Sequence, residues 1–91
     1  MSITHTAFAT TTASHAGADN GITILRQVTE DGVLRESDEV ATLTAGTELD
    51  DSDGDLDADA ATAAVARLGF TPAGAGWIRS GDQWAMQVEP A

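Results

Sequence analysis

The sequence predicts an α+β fold. It reads as a small antiparallel sheet of two hairpins, with a further short strand candidate, and one helix packed on one face, in the order ββ(β)αββ. Three observations predict it. Apolar and polar residues alternate on the approach to Asp31-Gly32. An apolar stripe at helical spacing runs from Ala61 to Leu68 and stops at Gly69. Two tryptophan-bearing segments, Trp77–Arg79 and Trp84–Val88, flank Ser80-Gly81-Asp82-Gln83.

Residues 1–20 hold one acid, Asp19, and no base besides His5 and His15. Thr, Ala and Ser dominate, and Ile3 and Phe8 are the only large apolar residues after Met1. Such a stretch reads as a flexible arm; an added strand or docking segment is the alternative. Residues 21–91 then form a single small α+β domain.

Within that domain Ile22, Ile24 and Val28 share one parity, and Thr23, Gln27 and Thr29 take the other. Leu25 breaks the alternation. Period two with β-branched residues predicts a strand. Asp31-Gly32 suits the two left-handed positions of a type I′ hairpin turn, which makes Val33–Arg35 the returning strand. Val40–Thr44 is the further strand candidate, ended by Ala45-Gly46.

The helix is the best-marked element. Ala61, Ala64, Val65 and Leu68 fall at i, i+3, i+4 and i+7. Asp57 or Asp59 can cap its start, where carboxylates suit the helix dipole. Arg67 sits in the last turn. Gly69 occupies the left-handed position beyond the C-cap, so that Phe70 folds back onto Val65, and Thr71-Pro72 blocks continuation. In the closing hairpin, a turn on Gly81-Asp82 pairs Arg79 with Trp84 and Trp77 with Met86. The aromatic complement is two tryptophans and two phenylalanines. A domain so short of bulk needs Trp77 and Trp84 in its core; the alternative is an exposed platform with Arg79 stacked on Trp84.

Composition bounds the function. The 15 acids face four arginines and no lysine, for a formal charge of −11. This excludes direct binding to nucleic acid or to an anionic membrane, both of which need a basic footprint. It permits a basic protein surface as partner. A GC-rich genome or a salt-rich cytoplasm accounts for the same bias without any partner. There is no cysteine, so thiolate chemistry and Cys-based zinc sites are excluded. The apolar runs fall well short of a membrane span, and no basic, apolar leader opens the chain, which gives a cytoplasmic expectation.

Glu48–Asp59 carries seven acids in twelve residues. Its alternating Asp51, Asp53, Asp55, Asp57 and Asp59 are weak metal candidates. A calcium loop wants oxygen ligands at positions 1, 3, 5, 7 and 9, glycine at 6 and glutamate at 12. Anchoring Gly54 at position 6 puts Leu49 at 1 and Ala60 at 12, and starting at Asp51 puts Leu56 at 6 and Thr62 at 12. Neither register fits, so a solvated acidic loop is preferred and no cofactor is expected. No nucleophile elbow or phosphate loop occurs, both histidines lie in the arm, and nothing marks one carboxyl as buried. The expectation is a non-enzymatic acidic protein. Glu48, Asp50, Asp51, Asp53, Asp55, Asp57 and Asp59 would dock on a basic partner surface, a nucleic-acid-binding protein in the DNA-mimic form of the reading. A structural or accessory subunit of a larger assembly and a divalent-cation module are the alternatives.

Overall fold

A computed structural model describes residues 1–10, 21–44, 49, 56–74, 76–81 and 83–91. The elements in chain order are β1 (Ser2–Thr10), β2 (Gly21–Glu30), β3 (Val33–Thr44), α1 (Ala58–Arg67), β4 (Phe70–Pro72), β5 (Ile78–Ser80) and β6 (Gln83–Pro90). The strands form one antiparallel sheet in the order β3-β2-β1-β6-β4. The short β5 shares the outer edge of β6 with β4: it pairs with the Gln83–Ala85 end, and β4 with the Val88–Pro90 end. The helix packs on one face, which is the predicted α+β class.

The expected arm is corrected in its first half. Ser2–Thr10 pairs with β2 along its whole length and with β6 from His5 to Ala9, so it is an inner strand of the sheet. The physical reason lies in its alternation. Ala7 and Ala9 point to the helix side and are completely buried, Ala7 between Ile24 and Met86 and Ala9 between Ile22 and Trp84. The helix presents its own fully buried alanines, Ala61 and Ala64, to the same core. Ala7 and Ala9 lie in one buried cluster with Ile22, Ile24, Val65 and Met86, so larger side chains of other elements cover them. A stretch of Thr and Ala looks uncommitted alone because its burial depends on neighbours supplied from elsewhere in the chain. Residues 11–20, the rest of the expected arm, lie outside the described residues.

The first hairpin forms as the sequence predicts. Asp31 and Gly32 have φ of 54° and 78°, both left-handed as a type I′ turn requires. The Val40–Thr44 candidate is the far half of β3 and not a separate strand. The register with β2 skips one residue at Arg35 and one at Val40, so two β-bulges interrupt β3.

Asp57 is the N-cap of α1; its carboxylate accepts from the Ala60 N–H at 3.1 Å. Ala61, Ala64 and Val65 are buried, and Leu68, the C-cap, is half-buried. Gly69 has φ of 89°, and its N–H donates to the Ala66 carbonyl at 3.0 Å. The chain then turns directly into β4, where Phe70 pairs with Pro90 and Pro72 with Val88. Pro72 is tolerated because β4 is an edge strand. In the closing hairpin Arg79 pairs with Trp84, its guanidinium 5.5 Å from the ring centroid. Trp77 does not pair with Met86: β5 begins at Ile78. Its indole N–H instead donates to the Thr62 hydroxyl at 3.2 Å. A half-buried indole needs a partner for that donor, and the helix supplies it. Asp82 lies outside the described residues.

The two faces of the sheet differ. The helix side holds the core, with Ile22, Ile24, Leu49 and Val65 as its largest fully buried side chains and both tryptophans packed against it. The other side carries Thr4, Thr6 and Phe8 of β1 and Thr23, Leu25 and Gln27 of β2, by strand alternation. Phe8 and Leu25 are half-buried and lie outside the core cluster.

Two consequences are measurable. A chain lacking residues 1–10 should show no cooperative thermal transition by circular dichroism, because β2 and β6 lose their shared neighbour; an unchanged melt would contradict the pairing. Gly69→Ala should cost about 1 kcal/mol in urea unfolding from backbone strain alone, since a Cβ there would meet nothing within 4 Å.

Candidate functional site

Of the residues expected to meet a partner or a metal, the structure describes Asp57 and Asp59. Glu48, Asp50, Asp51, Asp53 and Asp55 lie outside the described residues. Asp57 has a structural task. Besides capping α1, its N–H donates to the Leu49 carbonyl at 2.7 Å and its carbonyl accepts from the Ala61 N–H at 2.9 Å. Leu49 is completely buried. Leu49 and Asp57, on either side of residues 50–55, are thus tied to each other by a backbone hydrogen bond. Asp59 is exposed in the first helical turn, where its charge complements the helix dipole. Among the described residues no three His, Cys, Asp or Glu side chains converge to hold a metal ion.

A second acidic surface is fully described, in the Glu30–Glu39 region from which, with Glu48–Asp59, a DNA mimic is expected to draw carboxylates on one face. Every residue from Glu30 to Val40 is exposed. This stretch contains Glu30, Asp31, Glu36, Asp38 and Glu39 against one base, Arg35. It comprises the turn and the outer part of β3, and β3 is an edge of the sheet. Asp38 stands opposite Arg26 in the register, Glu36 opposite Val28 and Glu39 opposite Leu25. Alternation sends Glu36 and Asp38 toward the helix side and Glu39 toward the other. The carboxylates therefore surround an edge and do not line one face. The missed signal was the polar run Arg35–Glu39 itself, because a strand with no apolar residue over that length has to be an edge.

The two bulges matter here. They leave only residues 36–39 in uninterrupted register between Arg35 and Val40. Bulges and charges on an edge oppose the addition of another strand. The edge thus offers side-chain carboxylates to a partner more readily than backbone hydrogen bonds.

No family model matches the chain, and no curated protein or solved structure matches it. Among the described residues no helix is long and apolar enough to cross a membrane.

The capping role of Asp57 separates it from its neighbours. Asp57→Ala should lower stability by about 1 kcal/mol, and Asp59→Ala by a few tenths. Urea midpoints of the two variants give the comparison; equal losses would deny Asp57 its special place.

Proposed function

We propose that this chain is a non-enzymatic acidic interaction protein that docks on a basic surface of a partner protein. The observation that carries the reading is the exposed Glu30–Val40 stretch, five acids against one arginine along the turn and the strand β3, which has no outer neighbour among the described residues. The formal charge of −11 adds long-range attraction for a basic partner and speeds encounter. The Glu48–Asp59 run contributes to the same field. A nucleic-acid-binding protein is the sharpest case. Its basic groove is built for phosphates, and carboxylates at the hairpin edge and the acidic run occupy it in their place. Inhibition then follows from occupancy, with no chemistry needed from this chain.

A second reading has its own observation. Among the described residues no element covers the sheet face away from α1, which suits a structural or accessory subunit of a larger assembly, a viral one included.

The first reading is tested by capturing partners on the immobilised chain and eluting with salt. A basic partner should be held at about 0.05 M salt and released well before 1 M, as the screening length falls to about 3 Å. Glu36→Gln, Asp38→Asn and Glu39→Gln together should weaken capture about tenfold or more. Binding that survives both high salt and these changes would favour the accessory-subunit reading.

A further inference from the structure

We infer that the sheet face turned away from α1 is a self-association surface, on which a second copy of this chain packs sheet to sheet. The inference stands apart from the docking of a basic partner, because it uses a different surface and a different force.

Charge is the first argument. The chain carries 15 acids, yet among the described residues the paired positions of this face hold only Glu39 and Glu89. Glu39 lies on the edge strand β3, and Glu89 lies near the end of β6, opposite Thr71 of the short β4. Between them the face is Thr, Gln and apolar side chains. Two chains of formal charge −11 repel wherever their carboxylates meet. They can approach closely only across a surface from which charge has been withdrawn. A basic partner finds nothing to hold there, which is why a second copy is the better occupant.

The centre of this face is apolar. Phe8 pairs with Ala85 of β6, and Ala85 pairs with Ile78 of β5. Leu25 lies one strand over, opposite Thr6. None of Phe8, Leu25, Ala85 and Ile78 belongs to the core cluster or packs against it, and Ile78 is 62% exposed. A chain with two phenylalanines places one of them outside its own core. An open groove of about 310 Å3 runs beside these residues, lined by Thr6, Ile78, Ala85 and Gln87 among others. It gives the face relief for facing side chains. An apolar centre inside a polar rim, with its two acids Glu39 and Glu89 at the margins, is the anatomy of an interface.

Part of the polar surround is already satisfied internally. The Thr6 hydroxyl donates to Gln27 Oε1 at 3.1 Å, and the Thr42 hydroxyl donates to the Ile22 carbonyl at 3.3 Å. The Thr23 and Thr42 hydroxyls lie 3.5 Å apart. Groups that keep their partners inside the chain do not pay a desolvation penalty for lost bonds when a second sheet covers them.

The area is sufficient. Five strand positions at about 4.8 Å spacing and about 25 Å of strand length give on the order of 500 Å2 per copy in projection. Two copies then bury about 1,000 Å2, the lower bound of specific interfaces. Aligned packing of two sheets about 10 Å apart is an established arrangement.

The test is sedimentation equilibrium of the full chain at about 100 µM, a concentration that populates a micromolar dimer. At about 0.5 M salt, where repulsion is screened, the mass should be twice the chain's 9.3 kDa. Dilution into about 0.05 M salt should weaken the dimer. This is opposite in sign to the basic-partner reading, so the two fail separately. Ile78→Glu and Gln87→Glu should each raise the dimer Kd about tenfold or more, by setting like charges against each other across the contact. Gln87 is exposed and the change is nearly isosteric, so the fold survives it, and an unchanged melting curve verifies this. A monomer at high salt overturns the inference. A dimer indifferent to both substitutions overturns it too, because the contact then lies elsewhere.

Discussion

Two hairpins become one sheet here because β1 is paired on both of its edges. β2 and β3 would otherwise stand apart from β5 and β6, and α1 would have no continuous floor to cover. Ala7 and Ala9 sit at the middle of that floor, between the isoleucines of β2 and the Met86 and Trp84 of β6. They share one buried cluster with Ala61 and Ala64 of the helix. Large side chains fill its margins: Trp77, Trp84, Phe70 and Leu43 pack around the fully buried set. In such a core a single methyl added at an alanine disturbs both layers at once.

Much of this was legible where a local rule was strong. The alternation of Ile22, Ile24 and Val28, the Asp31-Gly32 turn, the helical stripe and the glycine after it each act through neighbours in sequence. They form as read. The cross-strand pair Arg79–Trp84 was legible too, because turn length fixes register. What escaped was non-local. β1 carries alternation, but its inward residues are alanines, and alanine gives no hydrophobic signal without knowledge of what lies opposite. β4 is three residues containing a proline, and only the partner β6 makes it a strand. Trp77 lies before the start of β5, and its indole N–H bonds the Thr62 hydroxyl of the helix, a long-range contact that turn length does not reveal. The acids of the candidate site divide in the same way. The density of Glu48–Asp59 is plain in the sequence, whereas the edge position that exposes Glu36, Asp38 and Glu39 is a property of sheet order.

Charge and hydrophobicity are segregated across this sheet. One face is closed by a helix, one edge is ringed by carboxylates, and the remaining face is nearly neutral. The two bulges in β3 help keep these surfaces apart, since they bend the acidic edge and resist extension of the sheet sideways. The fold thus directs ionic contacts to the rim and leaves apolar contact to the flat of the sheet.

The double pairing of β1 also fixes an order of events in folding. The meander of β1, β2 and β3 involves neighbouring segments and can form early. The other edge of β1 has to wait for Trp84–Val88, from which β2, β3, α1, β4 and β5 separate it in sequence. Long-range pairing of this kind closes a large loop and is slow. Until it happens, an intermediate shows bare backbone at His5–Ala9 and an uncovered row of isoleucines. Such a species would aggregate in most chains. The formal charge of −11 opposes association of any such partly paired chains, so the composition acts on the protein even before its sheet is complete.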